Sequence, residues 1–376
     1  MTCPYEKLCG FCRIGGDYRA LAEEKLAGVR KLLAPFVPVT EILTEDDPLR
    51  YRTKVTASFS LGKDKKLTSG HYEEGTRSVV PAKDCLLEDE RAAALIRDLT
   101  ELVRSFRFEP YDPKTGRGLL RHVQVRTSVR TGETMVTLVT GTPVFPSRQN
   151  FVKELRRRHP EITTVVQNVN ARPGSMVLGD RFQTLFGPGF IEDELLGLRF
   201  RLSPSAFYQV NGRMTGRLYE TAIGFAGLTG TETVIDAYCG TGTIGLCAAG
   251  RAGEVIGVEL NPDSVRDAQT NARRNKIENA RFLCADAGDF LQELALSGGK
   301  ADVLFLDPPR SGSSPDFLAA AIRLRPSRIV YVSCGPDTLA RDLRILTDGG
   351  FRAEKAVCVE MFPFTEHVET VVRLVS

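Results

Sequence analysis

Residues 234–245 constrain the fold of this chain more than any other stretch. A short apolar run reaches Asp236, residues 239–245 are small and rich in glycine, and an apolar helical pattern follows from Ile244. A strand, a glycine-rich turn and a helix in this order open a doubly wound α/β fold. The glycines let the backbone approach a ligand closely, and the start of the helix offers free N–H groups. The sequence therefore predicts a ligand site at this turn.

The same turn matches the dinucleotide-binding pattern G-x-G-x-x-G from Gly240 onward, which alone is weak evidence. Asp236 lies just before the turn, where a carboxylate attracts the sulfonium or ammonium group of S-adenosylmethionine and repels a pyrophosphate. Two later motifs, Asp-Pro-Pro-Arg at 307–310 and Ser-Cys-Gly at 333–335, suit methyl transfer and not hydride transfer. We therefore predict that Asp236 and Gly240 bind S-adenosylmethionine.

Strands and helices alternate regularly after residue 233, which predicts a parallel sheet. The last two strands, predicted at 351–360 and 367–375, have no helix between them and should pair antiparallel, as in seven-stranded methyltransferases. The predicted fold class is α/β, with two domains. A Rossmann-like S-adenosylmethionine-dependent catalytic domain occupies 201–376. Residues 1–200 are predicted to form an α+β domain with an antiparallel sheet.

In open α/β sheets, ligands bind at the C-terminal ends of the strands. Asp236 and Tyr238 lie at the end of the first predicted strand, 233–238, and Glu259 ends the second, where its carboxylate suits both ribose hydroxyls. Asp286 follows the third strand and should meet the adenine amino group, and Asp307 ends the fourth. The polar loop 203–211 suggests a further ligand contact, with helix capping as the alternative.

Cys334 is the predicted nucleophile. It lies between a buried strand and a helix that starts near Pro336, and a thiol at a helix N-terminus has a lowered pKa. A buried structural thiol is the alternative. C5 of a pyrimidine does not readily attack a sulfonium methyl, but addition of a thiolate to C6 makes C5 nucleophilic. A base must then remove the C5 proton, and Glu369 is a better candidate for it than Glu366.

Three N-terminal cysteines have the spacing C-x5-C-x2-C, which is typical of thiolates that hold one metal centre: Cys3, Cys9 and Cys12. Cys85 is the nearest isolated candidate for a fourth ligand. The spacing suits a [4Fe–4S] cluster or a structural zinc ion and does not choose between them. A frayed terminus with reduced cysteines is the alternative. The nine cysteines fit a reducing compartment, so we expect a cytoplasmic protein.

Basic residues are concentrated in the central part of the chain, although the net charge is only +3. Residues 114–158 carry ten Lys or Arg and two acids. This excess predicts phosphate contacts, with a solvated charged face as the alternative. No apolar run is long enough to span a membrane, and no signal-peptide pattern is present. The arginines predicted to contact RNA are Arg117, Arg121, Arg126 and Arg130.

The chain resembles the RNA uracil-5-methyltransferases through nearly its whole length. Five segments carry the resemblance: Phe-Tyr-Gln-Val-Asn at 207–211, Asp-Ala-Tyr-Cys-Gly-Thr-Gly at 236–242, Asp-Pro-Pro-Arg at 307–310, Ser-Cys-Gly-Pro-Asp-Thr-Leu-Ala-Arg-Asp at 333–342 and His-Val-Glu at 367–369. The resemblance implies that Cys334 is the nucleophile and Glu369 the base. It also implies donor contacts from Gln209, Tyr238, Thr243, Glu259, Asp286 and Asp307.

The N-terminal cysteines resemble those of the iron–sulfur members of this family that act on bacterial 23S ribosomal RNA. The resemblance implies that Cys3, Cys9, Cys12 and Cys85 bind a [4Fe–4S] cluster. It also implies that the RNA partner is 23S ribosomal RNA, because the related transfer-RNA enzyme type lacks the cluster. Transfer RNA remains the alternative substrate. We expect the protein to act as a monomer.

Two departures from the family pattern matter. Gly335 stands where the family usually has Asn, and the chain begins at the cysteines without the small TRAM β-barrel that many relatives carry. RNA affinity is therefore expected from the basic central domain, with the target base extruded into the cleft beside Cys334.

Two other interpretations stay open. One is an RNA amino-methyltransferase, although Arg310 replaces the aromatic residue usual in that motif. The other is a non-catalytic RNA-binding or assembly protein.

Overall fold

The computed structural model describes residues 3–62, 64–76, 78–81, 83–112, 114–172, 174 and 176–376. Within these ranges, no helix is long and apolar enough to cross a bilayer. The helices are α1 (Glu6–Cys9), α2 (Tyr18–Leu33), α3 (Glu90–Ser105), α4 (Arg148–Arg158), α5 (Gly212–Ala226), α6 (Thr243–Ala249), α7 (Pro262–Arg274), α8 (Ala287–Leu296), α9 (Pro315–Leu324) and α10 (Pro336–Asp348). The strands are β1 (Val39–Leu43), β2 (Lys54–Leu61), β3 (Leu67–Tyr72), β4 (Val79–Val80), β5 (Leu120–Thr127), β6 (Thr134–Thr140), β7 (Ile162–Val169), β8 (Arg181–Phe186), β9 (Ile191–Leu195), β10 (Leu198–Leu202), β11 (Thr233–Ala237), β12 (Glu254–Glu259), β13 (Ala280–Cys284), β14 (Val303–Leu306), β15 (Arg328–Ser333), β16 (Arg352–Val359) and β17 (Glu369–Val375).

The chain folds as two compact units whose boundary differs from the predicted one at residue 200. The first unit comprises residues 1–15, 48–194 and 201–205, and the second comprises 16–47, 195–200 and 206–376. The prediction that 16–47 belong to the N-terminal domain is therefore wrong. The physical reason is burial, because α2 packs Leu26, Val29 and Leu33 into the same apolar cluster as the strands of the C-terminal sheet.

The second unit is built on an eight-stranded sheet with the order β1-β16-β17-β15-β14-β11-β12-β13. Strand β17 pairs antiparallel with both β15 and β16, which confirms the predicted antiparallel ending. The pairs from β15 to β13 are parallel, as their connecting helices require. The sequence predicted seven strands. The eighth is β1, which pairs parallel with β16 at the edge of the sheet.

The register of this sheet gathers side chains at one edge. Leu306, the last residue of β14, pairs with Tyr331 of β15, and Ser333 of β15 pairs with Thr370 of β17. The residues just beyond β14 and β15 and the first residue of β17 therefore lie at the same edge. The three side chains brought together in this way are Asp307, Cys334 and Glu369.

The first unit contains a seven-stranded sheet with the order β4-β3-β2-β5-β6-β7-β8. One face of this sheet packs against α3 and α4 through an apolar cluster that includes Val55, Leu95, Val123 and Phe151. The strand pairs of this sheet are antiparallel, as predicted, except that β6 and β7 pair parallel. Helix α4 connects these two strands as a crossover, and a crossover returns the chain in the parallel direction.

We predict that Leu33→Ala lowers the free energy of unfolding of the second unit by about 2–5 kcal/mol, because it leaves a cavity in that unit's core. Leu32→Ala is the matched control: Leu32 is 38% exposed, so its truncation should cost under about 0.5 kcal/mol. Urea unfolding measures both, and added S-adenosylhomocysteine identifies the second unit's transition by shifting it. If Leu33→Ala affected only the transition that does not respond to the ligand, the assignment of α2 to the second unit would be wrong.

Candidate active site

The turn after β11 adopts a backbone that glycine makes possible. Tyr238 and Gly242 both have left-handed backbone conformations, with φ of 61° and 79°. A Cβ atom at Gly242 would lie 2.8 Å from the ring of Phe282, so a side chain does not fit there. A non-glycine residue in the left-handed region is strained, and such strain is commonly found at ligand sites. The structure therefore contains the predicted strand, glycine-dependent turn and helix.

Two acidic residues are tied to this turn. The Gly240 N–H donates to Glu259 Oε2 at 3.1 Å, and the Asn261 N–H donates to Glu259 Oε1 at 2.7 Å. The Gly245 N–H donates to Asp236 Oδ2 at 2.8 Å. Asp236 Oδ1 has no hydrogen-bond partner in the described part of the chain. These contacts orient both carboxyl groups beside the turn.

Burial raises the pKa of Asp236 to about 7, against the effect of the Gly245 hydrogen bond. The charges of Asp307 and Glu259 raise it further. Burial also raises the pKa of Asp307 to about 7. A bound cation would stabilise the ionised forms of these carboxyl groups. The turn is thus electrostatically suited to a positively charged ligand, which the sequence predicted from Asp236.

The turn forms one wall of a cavity of about 610 Å³ within the second unit. Aromatic side chains contribute other walls, among them Phe207, Tyr208 and Phe362. This size is within the range of small-molecule sites. The cavity is lined by nearly all of the predicted donor residues: Gln209, Asp236, Tyr238, Gly240, Thr243, Glu259 and Asp307.

Asp286 is the exception among the predicted donor residues. It does not line this cavity, and its Oδ1 caps α8 by accepting from the N–H groups of Gly288 and Asp289. It lies close enough to Tyr238 for its charge to raise the pKa of that phenol, after the larger effect of burial. Its contact with the adenine amino group therefore stays a prediction.

Both predicted catalytic residues line the same cavity as the donor residues. Cys334 comes directly after β15, and Gly335 is the N-cap residue of α10. The predicted lowering of the pKa of Cys334 is wrong. Burial raises it to about 11, and the charges of Glu369 and Asp307 add to this effect while Arg310 opposes it. The lost hydration and the nearby carboxylates thus oppose ionisation of the thiol.

Glu369 is buried, and its Oε2 has no hydrogen-bond partner among the described residues. Burial raises the pKa of Glu369 to about 8, and the charge of Asp307 raises it further, whereas Arg310 lowers it. A base whose pKa lies near the working pH transfers protons efficiently. The environment of Glu369 thus suits the removal of a proton near neutral pH.

Three further residues of the cavity wall were not given roles by the sequence analysis. Arg310 Nη2 donates to His367 Nδ1 at 2.5 Å. Tyr219, on α5, shares a 3.0 Å hydrogen bond with the hydroxyl of Thr243. In the sequence, Tyr219 is one of the apolar positions of a helical pattern. Only the fold shows that it lines a ligand cavity.

Thr338 occupies the space beside Gly335, where the family usually has Asn. Its hydroxyl lies 2.9 Å from the carbonyl oxygen of Gly335 and 3.1 Å from that of Arg310. A Cβ atom at position 335 would lie 2.7 Å from Thr338 Oγ1. A side chain at 335 would therefore displace Thr338, which holds the Arg310 backbone to the turn after Cys334.

The predicted metal-binding cysteines lie in the first unit. Burial raises the pKa of the Cys12 thiol, and the charges of Cys9 and Cys3 raise it further. The ring of Phe11 packs edge-on against His71, with the ring centres 5.7 Å apart. The ligand atoms of His71, Cys85 and Glu88 lie within 4.8 Å of one another. His71 and Glu88 are thus additional polar neighbours that the sequence did not indicate.

Two of the four predicted RNA-binding arginines are not available on the surface. Arg121 is 7% exposed, and its Nη1 donates to the carbonyl oxygens of Asn170 and Arg172 at 2.7 and 2.8 Å. Arg126 is 3% exposed. Both are residues of β5, and the prediction of phosphate contacts is wrong for this structure because their guanidinium groups are buried. Arg117 and Arg130 are exposed.

Comparison with known proteins is consistent with this site. The sequence profile described as tRNA (uracil-5-)-methyltransferase matches residues 17–376. An uncharacterized RNA methyltransferase of Listeria innocua is 40% identical over 355 residues, covering 94% of this chain and 77% of the relative. Another, from Halalkalibacterium halodurans, is 38% identical over 376 residues, covering 98% of this chain and 82% of that relative.

A solved structure also resembles this chain along most of its length. It is the crystal structure of the Pyrococcus abyssi tRNA (uracil-54, C5)-methyltransferase in complex with S-adenosyl-L-homocysteine. The TM-score is 0.79 at 26% sequence identity, over 96% of this chain and 84% of that chain. The chain belongs to the tRNA (uracil-5-)-methyltransferase family. It is an S-adenosylmethionine-dependent RNA (uracil-5-)-methyltransferase.

We predict that the buried carboxyl groups make the ligand-free enzyme less stable as the pH rises. Each has a folded-state pKa above its unfolded value, so its contribution to stability is present below about pH 4 and is lost as the pH rises through 7 to 8. Asp307→Asn should therefore raise the melting temperature by roughly 2–4 °C at pH 8, the shift expected from 1 kcal/mol.

The control is Asp316→Asn, because Asp316 is exposed on α9 and should leave the melting temperature unchanged. Calorimetry between pH 5 and pH 9 measures both variants. Added S-adenosylmethionine should stabilise the wild type more strongly than Asp307→Asn. A wild-type melting temperature that rises steadily with pH would contradict the burial of these groups.

Proposed function

We propose that this enzyme methylates C5 of a uridine in RNA through a covalent bond between Cys334 and C6 of the target base. The observation that carries the proposal is that one cavity is lined by the thiol of Cys334, the buried carboxyl group of Glu369 and the predicted donor residues. An amine nucleophile would need no thiol in this position, because it attacks a methyl group directly. The arrangement therefore favours C5 over an exocyclic amine.

The proposed chemistry assigns one step to each of two side chains. The Cys334 thiolate adds to C6, and the electrons of the C5–C6 double bond move to O4 as an enolate. S-adenosylmethionine, when bound, supplies the electrophilic methyl carbon, which C5 then takes. Glu369 removes the C5 proton, the double bond re-forms, and the thiolate leaves C6. The products are 5-methyluridine and S-adenosylhomocysteine.

Arg310 gives this scheme a means of forming the thiolate. Its positive charge lowers the pKa of both Cys334 and Glu369, whereas Asp307 raises both. Methyl-donor binding brings a further positive charge to the side of the cavity that holds Asp236 and Asp307. We infer that donor binding lowers the pKa of Cys334 by offsetting these carboxylates, so that the thiolate forms in the complete site.

We predict that Cys334→Ala abolishes both tritium release from 5-tritiated uridine RNA and methylation, because the activating bond to C6 is lost. Glu369→Gln should instead accumulate an RNA–protein adduct that survives denaturing electrophoresis, with tritium release slower by about 100-fold or more, since a general base contributes 10²–10⁴-fold. The exposed Cys284 provides a control, and Cys284→Ala should behave as the wild type. Methylation by Cys334→Ala would refute the covalent scheme.

The RNA class is a finer proposal. The N-terminal cysteines favour 23S ribosomal RNA through the resemblance described above. The similarity to the Pyrococcus abyssi enzyme, whose name specifies tRNA, favours transfer RNA as the second candidate. Mass-spectrometric mapping of 5-methyluridine in both RNA classes, from cells with and without this protein, separates them. We further propose that the enzyme extrudes its target base, and that it acts in the cytoplasm as a monomer.

We also propose that Cys3, Cys9, Cys12 and Cys85 hold a [4Fe–4S] cluster, with a structural zinc ion as the alternative. The supporting observations are the electrostatic effect of Cys9 and Cys3 on the Cys12 thiol and the packing of Phe11 on His71, whose ring lies beside Cys85. All nine cysteines are free thiols, as thiolate ligation requires. The cluster would brace the N-terminal segment against the sheet of the first unit.

We predict that anaerobically purified protein is brown, with about four iron atoms per chain and broad visible absorbance. Cys85→Ala should lose the colour and the iron, because one of four thiolate ligands is removed. Cys284→Ala should keep both, since Cys284 lies in the second unit. Metal analysis and absorbance spectroscopy measure the outcome. A colourless preparation that contains one zinc ion per chain would contradict the cluster and support the alternative.

A further inference from the structure

The loop between β16 and β17 contributes to the wall of the donor cavity that Cys334 and Glu369 also line. It spans residues 360–368, and within it Phe362 and His367 line the donor cavity. Glu369, the proposed base, is the first residue of β17 and follows the loop directly. The position of the Glu369 carboxylate relative to a C5 proton therefore depends on how this loop is held.

A lysine from a distant part of the chain holds the loop. Lys25 lies on the buried stripe of α2 and is itself 7% exposed. Its ammonium group donates to Glu360 Oε1 at 2.6 Å, to the carbonyl oxygen of Phe362 at 3.2 Å and to that of His367 at 2.9 Å. These three acceptors match the three N–H donors of an ammonium group. One nitrogen atom thus ties together both ends of the loop.

If packing alone were needed to hold the loop, a buried lysine would be energetically unfavourable. A buried ion pair costs desolvation of both charges, and an apolar pair of similar size is often at least as stable. The stripe around Lys25 consists of Leu21, Ala22, Leu26 and Val29, so an apolar residue would fit the helix pattern there. What the ammonium group adds is direction, because it specifies where two loop carbonyl groups must point.

Neighbouring contacts brace the same loop from the same N-terminal segment. The N–H of Glu360 donates to the carbonyl oxygen of Leu43 at 2.9 Å. The ring of Tyr18 packs on that of Phe364 with the ring centres 5.5 Å apart. Lys25 also lines a second cavity of about 500 Å³ together with Arg310, Cys334 and His367. Lys25 therefore shares a cavity with Arg310 and Cys334, while its ammonium nitrogen binds the loop 360–368.

We propose that Lys25 is a positioning residue for the C5 proton-removal step: its ammonium group fixes loop 360–368 so that Glu369 reaches the C5 proton. The proposal rests on the function proposed above. It predicts that loss of the ammonium group affects the step that Glu369 performs and spares the addition of Cys334 to C6. Geometry changes of about 1 Å in a catalytic group cost on the order of 100-fold in rate.

The test compares Lys25→Met with Lys25→Met/Glu360→Gln and with the control Lys31→Met, an exposed lysine on the same helix. Each variant reacts with 5-tritiated uridine RNA and with 5-fluorouridine RNA. The fluorinated base forms the Cys334 adduct but has no C5 proton to remove, so it reports addition and methyl transfer alone. Tritium release, adduct on denaturing gels, and kcat and KM for RNA are measured.

We expect Lys25→Met to slow tritium release by about 10- to 100-fold and to accumulate adduct on uridine RNA, with adduct formation on 5-fluorouridine RNA at the wild-type rate. The double variant removes the buried negative charge that Lys25→Met leaves behind, so it should recover thermal stability without recovering tritium release. Lys31→Met should match the wild type.

Three results would overturn the proposal. Recovery of tritium release in the double variant would mean that Lys25 only neutralises Glu360. A raised KM for RNA with unchanged kcat would mean direct substrate binding. Equally slow adduct formation on 5-fluorouridine RNA would mean a general loss of the site. Failure of the covalent function itself is recognised separately, because the wild type would then form no adduct with 5-fluorouridine RNA.

Discussion

The crowding of buried carboxyl groups at one edge of the C-terminal sheet is the constraint on which this site depends. Asp236, Asp307 and Glu369 all have pKa values raised by burial, and the negative charge of Asp307 raises the pKa values of Asp236 and Glu369 further. Such an arrangement opposes folding in the ionised state, because each group has lost its hydration. It becomes favourable when a cation arrives. The site is therefore built for a positively charged methyl donor and is electrostatically incomplete without one.

The same crowding explains why the thiol of Cys334, the proposed nucleophile, is not activated by the helix that follows it. A helix N-terminus contributes a partial positive charge, whereas burial and two carboxylates act on Cys334 in the opposite direction. Arg310 opposes them and acts on Glu369 as well. Reactivity of the thiol is thus a property of the assembled cavity. A thiol that ionises only when the donor is in place is also protected from side reactions.

The N-terminal part of the chain serves both units. Residues 3–12 bring three cysteines to the first unit, while α2 and β1 complete the second. Helix α2 packs into the catalytic core, and its Lys25 reaches the loop that carries His367. Catalytic geometry in the C-terminal sheet is consequently tied to a helix more than three hundred residues away in sequence.

The order of elements and the proposal of Cys334 and Glu369 as catalytic side chains follow from the sequence. Glycine chemistry and hydrophobic periodicity are local, and parallel strands place residues such as Asp307 and Cys334 at a common edge. Only the tertiary structure decided what depends on through-space neighbours. It gave Cys334 a raised pKa, buried Arg121 and Arg126 within the first unit, and joined β1 to the catalytic sheet. These outcomes depend on which faces meet and on summed charges and lost hydration, none of which is encoded in the spacing of residues along the chain.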